Sequence, residues 1–168
     1  MLLRAPAVQD VLPDLVRFVG DSPIVGHSIG FDLSFLRKQR KDLFASNEII
    51  DTYELASIML PKAGRYNLGA LAQALAVPLP ANHRAVNDAQ ATRGVYLKLL
   101  EEAKILPLNL LAEIVRFSDP VDWAGYWFFR QVLRARSKEI VAANQVRHAY
   151  TGPLFDGRYT PPTSPLQP

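Results

Sequence analysis

Val8, Leu12, Leu15 and Val19 recur every three or four residues, which predicts an amphipathic helix over 7–20, after Pro6. The run P-I-V-G-H, 23–27, follows the turn-forming G-D-S-P and reads as a short buried strand. Helical patterning returns from Gly30 to Arg40 and ends in the basic run R-K-Q-R-K, 37–41. E-I-I-D, 48–51, is a second strand, followed by a helix from Thr52 to Met59. Pro61 and Gly64 interrupt the chain, and Asn67 is placed to cap a helix whose Leu68, Leu71 and Leu75 form one stripe. After V-P-L-P-A-N comes the longest well-patterned helix, 84–103; two more are expected at 107–117 and 122–146. Strand, helix, strand and then helices predict an α/β fold with a parallel sheet.

Residues 150–168 hold five of the 13 prolines and almost no apolar periodicity, so this tail is expected to be an extended linker. The expected organisation is an α/β domain over 1–104, a helical extension over 105–148 and a Pro-rich tail over 149–168.

Two acids break the pattern. In H-S-I-G-F-D-L-S-F-L, 27–36, a helical phase sets Asp32 between Phe35 and Leu36, the expected buried side. On the 84–103 helix, Asp88 shares a stripe with Ala85, Thr92, Val95, Tyr96 and Leu99. A buried carboxylate is costly unless it is paired, hydrogen-bonded, protonated or bound to a metal. Two such acids on two helices of one domain can converge on a cation, and His83 precedes the second helix closely enough to overhang the same place. Taken singly, each has a plainer reading. Either acid can be a satisfied group at a helix edge, and His27 a structural histidine at a strand end.

Composition narrows the classes. The 168 residues are 49% hydrophobic, enough for one core-forming domain and a tail. The excess of 19 Lys and Arg over 16 Asp and Glu permits a nucleic-acid partner without demanding one. With no cysteine, disulfides and thiolate metal sites are excluded, which fits a cytoplasmic protein. No apolar run approaches the roughly 18 residues that span a bilayer. The start M-L-L-R-A-P-A lacks the pattern of a signal peptide. No G-x-x-x-x-G-K-[ST] phosphate loop is present.

Together the two anomalous segments resemble motifs of one family, in order and spacing. H-S-I-G-F-D-L-S-F-L resembles the second motif of the DnaQ-like (DEDDh) 3′–5′ exonucleases, H-N-x-x-F-D-x-x-F-L, with Ser28 for the usual Asn. H-R-A-V-N-D-A-Q-A-T, 83–92, resembles their third, H-R-A-x-x-D-A-x-A-T. I-I-D-T-Y-E-L and Y-N-L-G-A-L look like the intervening segments, so the resemblance covers residues 5–103.

The resemblance implies phosphodiester hydrolysis at DNA or RNA 3′ ends by two divalent ions, Mg²⁺ or Mn²⁺, in an RNase H-like fold. Asp88 would hold the catalytic metal, Asp32 would help to hold the second, and His83 would take the proton from the attacking water. Arg84 and His27 are candidate nucleic-acid contacts. The family's first motif, D-x-E, is missing, since no Asp here is followed two residues later by Glu. The expected fold is therefore a partial RNase H-like fold lacking its first three strands, incomplete in ligands and weakly active. The rival expectation is a non-catalytic nucleic-acid-binding or tethering module.

The helices after residue 104 lie outside that pattern. With a Pro-rich tether behind them, they resemble proteins in which the nuclease is fused to a DinG-like helicase, so a helicase or polymerase is an expected partner. Arg130, Arg134 and Lys138 line one helix face, open to phosphate contact or to simple solvation. Tyr126, Phe129, Leu133 and Ile140 form a stripe expected to pack in a core.

Overall fold

The computed structural model describes residues 6–79, 85–121 and 123–149, with 143–149 as backbone alone. Residues 150–168 and residues 80–84, which include His83 and Arg84, lie outside the described residues. The elements run α1 (Val8–Val19), β1 (Ile24–Gly26), α2 (Gly30–Gln39), β2 (Ile49–Asp51), α3 (Thr52–Met59), α4 (Leu68–Ala74), α5 (Ala85–Ile105), α6 (Leu108–Ser118) and α7 (Gly125–Ala149). β1 and β2 pair in parallel, with Val25 opposite Ile50 and Gly26 opposite Asp51, as the strand–helix–strand order predicts. Two compact units emerge, Met1–Leu133 and Arg134–Pro168, and both strands belong to the first.

Two hydrophobic clusters organise that first unit. The larger joins Ile50 of β2 to Leu55 and Ala56 of α3, Leu71 of α4, and Val95, Leu99 and Ala103 of α5. Leu111 of α6 and Phe128, Phe129 and Val132 of α7 are buried in the same cluster. Phe128 and Phe129 meet edge-to-face at 5.1 Å, and Trp123 stacks on Phe129 at 5.7 Å. The smaller cluster gathers Ile29, Leu33, Leu43 and Phe44, with Leu12, Leu15, Val16 and Val19 of α1 laid against it. No residue of α1 is fully buried, and Pro13 within it removes one intrahelical donor.

Local chemistry sets several ends. Asp51 caps α3 through the Tyr53 N–H at 2.9 Å, and Asn67 caps α4 through the Ala70 N–H at 2.9 Å. Gly26 leaves room where β1 turns towards α2, since a Cβ there would stand 2.5 Å from the Ile29 side chain. Gly94 lets α5 close against Val77, whose Cγ1 would lie 2.4 Å from an added Cβ.

Several side chains depart from the sequence reading. α2 buries Leu33 and half-buries Leu36, whereas Phe35 is 51% exposed. The buried face of α2 therefore lies over Ile29, Leu43 and Phe44, and Asp32 is exposed rather than aimed into a core. Ile140 is exposed, so the aromatic stripe of α7 continues through Phe128 and Val132 instead. Arg130 is half-buried, with its Nε buried and without a hydrogen-bond partner, so it is not part of a plainly solvated face; Arg134 and Lys138 are exposed. Among the described residues, no helix is long and apolar enough to cross a membrane.

Candidate active site

A cavity of about 780 Å³ opens beside β1, within the range of small-ligand and nucleotide pockets. Val25, Gly26 and His27 form its floor, α2 contributes Asp32 and Leu33, and α5 contributes Asp88 and Thr92. Asp32 and Asp88, far apart in sequence, thus share one wall system. Asp88 is half-buried on the first turn of α5, where the partial positive charge of the helix N-terminus favours a carboxylate. The fully buried stripe of that helix begins one turn later, at Ala91 and Thr92. The acids are therefore tolerated because they face an open cavity. Neither is enclosed in apolar side chains.

Beside them, His27 is fixed rather than free. Its Nδ1 lies 3.0 Å from Thr52 Oγ1, which lies 3.0 Å from the Gly26 carbonyl, and the Tyr53 ring meets the imidazole edge-on at 6.1 Å. Burial pushes the His27 pKa below its usual value, opposed by the nearby Asp51 carboxylate and a backbone hydrogen bond with Tyr66. Burial thus favours the neutral imidazole, which can line the cavity and accept a hydrogen bond.

Asp51 is the polar group that sequence reasoning missed. Its Oδ1 accepts the N–H groups of Ser28 and Tyr53, each at 2.9 Å, and its Oδ2 accepts the Ile29 N–H at 3.1 Å. One carboxylate thereby pins the β1–α2 bend to the start of α3 and sets the angle at which α2 presents Asp32. An acid directly before a helical run is an N-cap signal, so the sequence did carry this clue.

Asp32 and Asp88 are hard oxygen donors of the type that Mg²⁺ or Mn²⁺ prefers, and among the described residues neither joins an ion pair. By type they fit a divalent ion. By number they fall short, since no group of three His, Asp or Glu side chains among the described residues could hold a metal.

The comparisons with known proteins agree with the motifs. The model of the family described as Exonuclease matches residues 1–96, more than half of the chain. The chain belongs to this exonuclease family. It is 34% identical over 116 residues to a PolC-type DNA polymerase III of Caldanaerobacter subterraneus, covering 68% of this chain and 8% of that protein. It is 31% identical over 142 residues to a PolC-type DNA polymerase III of Thermotoga maritima, covering 83% and 10%. A Staphylococcus epidermidis protein named 3′–5′ exonuclease DinG is 31% identical over 137 residues, covering 80% of this chain and 15% of its own length. The exonuclease chain thus spans only a small part of each of these relatives. No solved structure matches it.

Proposed function

We propose that this domain removes nucleotides from the 3′ ends of nucleic acid, as the nuclease part of a larger polymerase- or helicase-linked assembly. The observation that carries the reading is the placement of Asp32 and Asp88 on one cavity beside the fixed His27. Asp32 and Asp88 would hold Mg²⁺ or Mn²⁺, which when bound supplies an activated water and stabilises the departing 3′ oxygen. His83 stands five residues before Asp88 in the chain and would take the proton from the attacking water. Arg84, next to it, pairs with the phosphate. The relatives named as a PolC-type DNA polymerase III and as a 3′–5′ exonuclease support a nucleic-acid substrate. The shortage of metal ligands among the described residues supports slow turnover, and equally a second reading as a non-catalytic module that holds a strand.

A strand labelled at its 5′ end separates the two. With the protein and Mn²⁺, the proposal expects a ladder that shortens from the 3′ end and stops on chelation. Retarded but intact strand in the presence of metal would establish the module instead.

A further inference from the structure

A second cavity, of about 710 Å³, lies between the loop leading into β2 and the α6–α7 connection. It shares no lining residue with the Asp32–Asp88 cavity. Trp123, Trp127, Tyr126, Glu48 and Asp119 are among the residues that line it, and among the described residues no basic one does. In a chain whose formal charge is +3, this is a local reversal of sign. We propose that this pocket receives an arginine side chain presented by a basic peptide segment of a partner protein.

Three features favour a guanidinium. The Tyr126 hydroxyl donates to Asp119 Oδ1 at 2.7 Å, which orients that carboxylate and leaves Oδ2 to accept from a ligand. The Nδ2 of Asn47, also in the wall, is spent on the Gly20 and Ser22 carbonyls at 2.7 and 2.9 Å, so the amide offers the pocket only its oxygen. Arg130 sits over the Tyr126 ring, 5.6 Å from its centroid, and Phe129 stacks on Trp123 at 5.7 Å, so among the described residues Trp127 is the lining aromatic with no ring or cation stacked on it. Acceptors beside aromatic planes match a flat, weakly hydrated cation with several forked donors. They suit an ammonium less well, and a tightly hydrated metal ion less still.

The test is direct, because Trp123 and Trp127 are the chain's two tryptophans and both line this pocket. Tryptophan emission of the full chain is titrated with a short arginine-bearing peptide. The same titration is run with lysine at that position and with citrulline, which keeps the shape and removes the charge. The expected result is a saturable change with arginine, weaker affinity with lysine and at least a tenfold loss with citrulline. Glu48→Gln with Asp119→Asn should weaken arginine binding at least tenfold, whereas Asp32→Asn with Asp88→Asn should leave it unchanged. No response to arginine, equal response to citrulline or lysine, or full affinity in the Glu48/Asp119 variant overturns the proposal. The citrulline comparison needs no variant, so it stands even if the double substitution fails to fold.

Discussion

Ser28 donates its backbone N–H to Asp51 Oδ1 at 2.9 Å while holding a φ of +54°, in the left-handed region that side chains with a Cβ rarely adopt. The bend is tight because β1 must hand the chain to α2 within three residues, and Asp51 secures it from the neighbouring strand. The same relationship explains the motif noted in the sequence. Asparagine tolerates this backbone region better than serine, which gives a physical reason for the Asn usually found there.

Removing the pin should loosen the site before it touches the chemistry. Asp51→Ala frees three backbone donors at once, and capping and charge-assisted hydrogen bonds of this kind contribute about 2–4 kcal/mol together. Urea unfolding should register that loss. A change below about 0.5 kcal/mol, on the scale of an ordinary surface substitution, would mean that the bend is held by packing alone.

The converse substitution should help. Ser28→Asn relieves part of the left-handed cost and should raise stability by about 0.5 kcal/mol, whereas the β-branched Ser28→Val should lose 1 kcal/mol or more, about the left-handed penalty itself. Thermal melts of the three proteins give the order Asn, Ser, Val; any other order contradicts the assigned backbone strain.

At Gly94, two effects oppose each other. Alanine improves helix propensity by about 1 kcal/mol relative to glycine. An added Cβ would also stand 2.4 Å from Val77 Cγ1, and valine is stiff about its only side-chain torsion. Overpacking costs about 1–3 kcal/mol, so the steric term wins and Gly94→Ala should destabilise. A higher melting temperature would show that α5 can shift away from residue 77.

His27 makes stability depend on pH in one direction. Its folded pKa lies below the unfolded value of 6.5, so the unfolded chain binds more protons at mildly acid pH. The contribution is fully present above pH 6.5 and is lost as pH falls from there towards the folded value. Unfolding free energies measured between pH 5 and 8 should fall on the acid side, and His27→Gln should flatten that slope. A slope unchanged in the variant would assign the effect to other groups.

Much of this architecture was legible because strong local signals agreed with tertiary packing. α3 begins after a capping aspartate, and α4 after a capping asparagine. The phase of α2 was not legible. Phe31, Leu33, Phe35 and Leu36 place apolar side chains all round a ten-residue helix, so periodicity cannot select a face. Leu43, Phe44 and the stripe of α1 make the selection, and no local pattern announces them. In the sequence Asp32 is singled out by its motif, and the helical phase that would bury it is not the phase α2 adopts. The burial of Phe128 and Val132 was missed for a related reason: aromatic residues crowd the first turns of α7, and only packing against α5 and α6 decides which turn inward.

Asp88 is the residue on which the proposed hydrolysis most depends, and the rate at which a 5′-labelled strand is shortened in Mn²⁺ tests its role most directly. Asp88→Asn keeps the shape of the side chain and removes the charge that would hold the metal. The prediction is that the wild-type chain shortens the strand slowly from its 3′ end and that Asp88→Asn abolishes this. Shortening by Asp88→Asn at the wild-type rate would contradict the assignment of this cavity as the hydrolytic site.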